Sequence, residues 1–226
     1  VQGVPDPEAS QAEVPEGYRV EVVHQGLTYP SSVEFDDAGT MYVAEAGYSY
    51  GDPTPVPRLL RSDESGNLQE ISREFVGPIN DLLWHEGRLF ISHRGKISVL
   101  EGESVKDLIT GLPSGGDHHN NQMTTGPDGM IYFGQGTVTN SGVVGVDNAK
   151  MGWLSKHPEL HDVPPQALQI SGQHFESENP LTEQKDDKAT TLAFHAFGDH
   201  ENTEVPGALK ASGTILRMAS DGSGLE

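Results

Sequence analysis

The sequence predicts an all-β fold, a β-propeller of four-stranded antiparallel blades with about three blades present in 226 residues. Three observations carry this. The 27 Gly, 15 Pro and 34% hydrophobic content favour short strands and frequent turns over long helices. A unit of apolar strand, tight turn and apolar strand recurs three times, as Val33–Phe35 and Met41–Val43, Leu82–Trp84 and Leu89–Ile91, and Met123–Thr125 and Met130–Phe133. Its turn glycines Gly39, Gly87 and Gly129 fall 48 (87 − 39) and 42 (129 − 87) residues apart, the period of propeller blades.

In chain order, residues 1–17 are acidic, Pro-bearing and nearly free of large apolar side chains, which is the composition of a tail or linker. Tyr18 to Val23 alternates as a half-buried strand would, so folded structure is expected to start there. Blades are expected near 29–72, 76–110 and 117–226. Arg58–Arg61 and Leu68–Ile71 supply the outer strands of the first, and Lys96–Leu100 and Val105–Ile109 those of the second. Thr214–Met218 and a strand starting at Leu225 would serve the third, after a Pro-, Gly- and His-rich insertion over 137–211. Three blades do not close a ring, and a half-disc exposes strand edges. The remaining half of a propeller or a homo-oligomer is therefore expected, and Val1 in place of Met implies an upstream segment.

Lys+Arg 14 against Asp+Glu 34 gives a formal net charge of -20, which disfavours nucleic acid and anionic membrane surfaces as partners. With no cysteine, disulfides, thiolate metal sites and thiol nucleophiles are excluded. No apolar run approaches the ~20 residues of a membrane helix.

The polar run Asp117-His118-His119-Asn120-Asn121 opens the third blade and is the leading candidate site. A histidine titrates near neutral pH and a neighbouring carboxylate can orient it, so a general base fits here. A polar loop whose His and Asn cap backbone groups fits the same residues. On a strand adjacent side chains point to opposite faces, so only one of His118 and His119 reaches a given substrate. The Asp/Gly segments at Asp36, Asp63, Asp128 and Asp221 read as hairpin turns, since none has the full ligand spacing of a calcium loop. His157 and His161, an i, i+4 pair around Pro158, read as a surface helix start, and no residue is assigned as a metal ligand.

Leu112-Pro-Ser114, Asp117-His118, Gly126-Pro-Asp128 and Ile131-Tyr132 follow one another in an order and spacing that resembles the glucose/sorbosone dehydrogenases. Gly213–Arg217 and Asp221–Gly224 resemble a later strand pair of the same family. The resemblance implies the N-terminal half of a six-bladed propeller that oxidises a sugar or related polyol or aldehyde with pyrroloquinoline quinone (PQQ). It implies His118 as general base and Asp117 beside it, with Asp117, Asn80, Asn120 and Asn121 toward the cofactor. Calcium accompanies the quinone in that family, and its ligands are expected beyond Glu226. The resemblance further implies a periplasmic or extracellular location and an electron acceptor such as a cytochrome or quinone. Ile79 and Gly142 stand where the soluble glucose enzymes carry substrate-side glutamines, which argues against glucose. The alternative is a non-catalytic propeller whose disc face and insertion bind or assemble.

Overall fold

The computed structural model describes residues 8–47, 55–116, 118–171, 174–182, 184, 186–198 and 202–226. It is a partial β-propeller. The first blade is the meander β1 (Pro30–Phe35), β2 (Met41–Glu45), β3 (Arg58–Ser62) and β4 (Leu68–Ser72). The second is β5 (Ile79–His85), β6 (Arg88–His93), β7 (Lys96–Glu101) and β8 (Ser104–Ile109), again antiparallel throughout.

The third blade begins with β9 (Asn120–Thr125) and β10 (Ile131–Gln135). An insertion follows, holding two short helices, α1 (Val146–Lys150) and α2 (Trp153–Lys156), and two small ribbons. In it β11 (Leu168–Gln169) pairs with β14 (Glu204–Val205), and β12 (Phe175–Glu178) with β13 (Lys188–Thr191). The chain then returns as β15 (Thr214–Met218), giving the order β15-β10-β9. Arg217 and Glu226 exchange two backbone hydrogen bonds of 2.9 and 3.1 Å beyond β15, the first rung of a fourth strand.

The turns follow from their aspartates. Asp36 Oδ1 accepts from the Ala38 and Thr40 amides at 3.0 and 2.8 Å, and Asp63 Oδ1 from Ser65 and Asn67 at 2.9 and 2.8 Å. Each carboxylate mimics a backbone acceptor inside its own turn, which is hairpin chemistry. At Asp63 the Asn67 amide holds the carboxyl below its usual range. Among the described residues no group of three or more His, Cys, Asp or Glu is placed to hold a metal.

Apolar side chains alternate into the spaces between blades. Tyr42, Ala44 and Leu59 of the first meet Ile79, Leu82, Leu89 and Ile91 of the second. Phe90, Ile97, Val99 and Ile109 then meet Met123, Ile131, Phe133, Leu216 and Met218 of the third. Each wholly buried side chain of this size stabilises the fold by about 1.5–3 kcal/mol relative to exposure.

Tyr18 to Val23 forms no strand. It is exposed, with Tyr18 and Val23 each at 74%, and the first strand starts at Pro30. Alternation supplies a face, but a strand also needs an edge to pair with, and this segment pairs with no described strand. His157 ends α2 where a helix start was expected, and Pro158 and Glu159 form a turn that the Leu160 amide closes on His157 O at 3.0 Å.

The three inner strands β1, β5 and β9 lie side by side and repeat one local structure. Each is irregular near its start, with register breaks against its hairpin partner at Ser31, at Asn80 and between Asn120 and Met123. The residue at the irregularity donates to the first carbonyl of the next inner strand. Ser31 Oγ reaches Ile79 O at 2.7 Å, and Asn80 Nδ2 reaches Asn120 O at 2.6 Å. The residue after it accepts the fourth amide of the next strand, Ser32 Oγ from Leu82 N (3.1 Å) and Asp81 Oδ2 from Met123 N (2.7 Å). Asp81 also accepts from Ser32 Oγ at 3.0 Å, tying three blades at one carboxyl that burial raises above the ordinary range.

Candidate functional site

The site lies where the chain enters the third inner strand. A buried polar side chain ends each second strand, and two of them hold the segment leading into their own blade. Glu45 accepts the Thr28 amide at 2.8 Å while Arg58 grips it at 2.6 and 2.8 Å, and Gln135 Nε2 donates to Pro113 O at 2.6 Å. His93 occupies the equivalent place in the second blade, with Nε2 2.8 Å from Ser98 Oγ.

From Pro113 the chain runs through two glycines to the histidine pair. An added Cβ at Gly116 would stand 2.0 Å from the Val138 carbonyl oxygen, and one at Gly115, where φ is +127°, 3.2 Å from the His157 ring. At Gly116 backbone against backbone cannot give way, and at Gly115 the positive φ excludes a side chain, so both positions require glycine. Gly116→Ala is accordingly expected to lower stability by about 1–3 kcal/mol and to displace the histidine loop, read by urea unfolding and by hydrogen exchange at 113–119. An unchanged midpoint would show that the loop is free of Val138.

The paired histidines have opposite surroundings. His118 is exposed, with its Cβ set against the backbone of Gly136, where an added Cβ would lie 2.7 Å from it. His119 is 7% exposed, and its carbonyl accepts the Gly136 amide at 2.9 Å. Its ring meets Trp153 edge-on at 5.9 Å between centroids, and Trp153 stacks on His157 at 6.4 Å. The Arg94 guanidinium lies over the Trp153 ring, 6.0 Å from its centroid. Asp117 falls outside the described residues.

The insertion builds this roof. Val138, Val144, Trp153, Leu154 and Leu160 form its core, and buried Asp162 accepts from the Val138 and Thr139 amides at 2.8 and 3.2 Å and from the Thr139 hydroxyl. Asp162→Ala would leave two buried amides without acceptors, so the roof over His119 is expected to loosen first. Trp153 fluorescence should then shift to the red at denaturant concentrations that leave the blades folded, and coincident loss of roof and blades would count against this.

Burial depresses His119 to about 4, reinforced by Arg94, His118 and His157, and burial likewise depresses His93 to about 4. Both rings are neutral at pH 7. Because the folded values lie below the ordinary 6.5, the unfolded chain takes up protons first as pH falls. The stability they contribute is complete above about pH 6.5 and is lost progressively toward pH 4. The urea midpoint is expected to drop across that window, and His119→Phe to flatten the drop. A midpoint constant from pH 7 to 4.5 would contradict these assignments.

The asparagines of the run are placed differently from one another. Asn120 is wholly buried, with Nδ2 at 2.8, 3.0 and 2.9 Å from Ser92 Oγ, His93 O and Lys96 O, and Oδ1 accepting the Gly95 amide at 2.8 Å. Its amide joins the second blade to the third. Asn80 is engaged with Asn120 O, and Asn121 is exposed at the open edge of β9. Ile79 is fully buried in the core between blades, so it offers nothing to a sugar. Gly142 lines a cleft of about 370 Å³ with Phe194 and Ser212 in the insertion. Sequence reasoning did not place Arg94 or Trp153 beside the histidines, and it took His157 only as one of a pair with His161 at a surface helix start.

No protein-family model and no curated protein matches the sequence. Solved structures do. An oxidoreductase (glucose dehydrogenase) of Thermus thermophilus is 23% identical, with a TM-score of 0.44 over 55% of this chain and 42% of that one. The PQQ-bound aldose sugar dehydrogenase of Streptomyces coelicolor is 18% identical, at 0.41 over 54% and 42%. A Trichoderma reesei member of carbohydrate-active enzyme family AA12 is 17% identical, at 0.40 over 70% and 40%. The chain thus spans about two-fifths of the length of each.

Proposed function

We propose that this chain carries half of the active site of a quinone-dependent oxidoreductase acting on a sugar or a related polyol or aldehyde, with His118 as general base. The observation behind this is the division of labour in the pair. His119 is buried and held neutral as part of the roof, whereas His118 stands exposed at the entry of an inner strand. His118 would take the hydroxyl proton of the substrate as the same carbon gives up its hydride, so that the substrate loses two electrons and two hydrogens. Bound quinone would supply the two-electron sink.

Arg94 and His157, the charged or titratable neighbours of His119 besides His118, suit a group bearing carboxylates, so they are the side chains that would hold PQQ on this half. Among the described residues no group of three or more His, Cys, Asp or Glu is placed to hold calcium. Asp117 is proposed to orient His118. Passage of electrons to a cytochrome or quinone, in a periplasmic or extracellular compartment, belongs to the same reading.

The test is reconstitution of the natural full-length gene product with PQQ and calcium, followed by dye reduction across a panel of aldoses, polyols and aldehydes. Turnover with at least one is expected. Silence across the panel, with the quinone demonstrably bound, would end the proposal.

A further inference from the structure

Phe194 is held in a backbone conformation that aromatic residues avoid. Its φ is +62°, in the left-handed region where a bulky side chain crowds the following carbonyl. Two hydrogen bonds keep it there. Its amide donates to Gly142 O at 2.7 Å, and the His195 amide closes a turn on Leu192 O at 3.2 Å. The ring comes to rest over Gly142, where an added Cβ would stand 3.6 Å from Phe194 Cζ. Strain of this kind persists only where the surroundings over-determine it, and it gathers at ligand clamps.

The strained residue forms one wall of the cleft of about 370 Å³ in the insertion. Pro165 and Leu168 add apolar surface to it, while the side chains of Thr137, Ser141 and Gln166 line it without a hydrogen bond to any described residue. Asp162 also lines it, but its oxygens are taken by Val138 and Thr139. No Lys, Arg or His is among the described residues of the lining, and the chain carries a formal charge of -20, so the cleft suits an uncharged occupant. An aromatic face bordered by unengaged hydroxyl and amide groups matches a sugar ring, which is apolar on its C–H face and hydroxylated at its edge.

The cleft stands beside the histidines. Thr137 follows Gly136, against which the His118 Cβ is set, and Ser212 of the lining precedes Gly213, whose amide donates to Gly136 O at 3.3 Å. His119 O accepts the Gly136 amide from the opposite side. The histidine entry and the cleft therefore flank one strand across two strand spacings, about 10 Å, roughly the length of a disaccharide.

We propose that the cleft under Phe194 is a second sugar subsite, which takes the ring next to the one oxidised at His118 and makes a disaccharide or longer glycan the preferred substrate. Which ring reacts rests on the oxidation proposed above. The affinity of the cleft for a sugar ring does not.

The test is calorimetric titration of the natural full-length protein, kept free of quinone, with methyl glycosides of gluco-, galacto- and xylo-disaccharides and of the matching monosaccharides. At least one disaccharide glycoside is expected to bind about tenfold or more tightly than its monosaccharide. Phe194→Gly removes the ring and suits the left-handed backbone, so it is expected to fold at least as well as the wild type and to abolish that preference. Phe194→Tyr keeps the aromatic face and is expected to retain it. In dye reduction with quinone bound, the ratio of disaccharide to monosaccharide kcat/KM is expected to fall about tenfold in Phe194→Gly. Disaccharide binding that depends on Phe194 but gives no turnover would support the subsite and end the quinone reading. Equal affinities for the two sizes, or a preference indifferent to Phe194→Gly, would overturn the subsite whether or not sugars are oxidised.

Discussion

Replacing Asn120 with alanine is expected to lower the stability of the fold by about 3–5 kcal/mol, seen as a fall in the urea midpoint with no change in slope. One buried amide meets four groups here. Its two Nδ2 hydrogens are shared among Ser92 Oγ, His93 O and Lys96 O, and its oxygen takes the Gly95 amide. Truncation strands these partners in a site with no solvent access, and each buried polar group left unsatisfied costs about 1–3 kcal/mol. The loss is moderated where the carbonyls retain ladder partners, so the Gly95 amide and the Ser92 hydroxyl dominate it.

Asn120→Asp discriminates this account from a simple volume effect. Its shape is the same and it keeps the acceptor for Gly95, but it loses both donors and introduces a buried charge. If the aspartate variant were as stable as the wild type at pH 7, the donor bonds would not be what holds the second blade to the third.

The blades were legible because their signals are local. An aspartate that accepts from amides two and four residues ahead, as Asp36 and Asp63 do, marks its turn whatever the rest of the chain does. Alternation in Leu89–Ile91 and Ile131–Phe133 then sets which side chains enter the cores between blades. Tyr18 to Val23 misled because strand formation depends on a partner edge that local pattern does not encode.

The site was legible only as a run of polar residues. Which of two adjacent histidines is buried depends on Trp153 and His157 folding back from the insertion, dozens of residues later. The engagement of Asn120 likewise depends on Gly95 and Lys96 in another blade. Its neighbour Asn121, identical in composition, ends at an open edge. Residue type could nominate the run, but long-range packing assigned the roles.

That assignment gives the second large effect. In the full-length protein reconstituted with quinone, His118→Ala is expected to lower kcat about 10²–10⁴-fold with a thermal midpoint close to wild type. The exposed ring contributes little packing, so its loss should be felt in proton transfer alone. His119→Ala should do the reverse at first sight, lowering stability by removing a ring that is 7% exposed and packed on Trp153, with activity falling only as the roof opens. The two readouts separate the residues even though they are adjacent in sequence. A general base must also leave its mark on pH dependence, so the acid limb of kcat/KM should disappear in His118→Ala and persist in His119→Phe. Were the limb to follow His119 instead, a ring held neutral down to about 4 would have to be the base, and the inner-strand entry would need a different catalytic group.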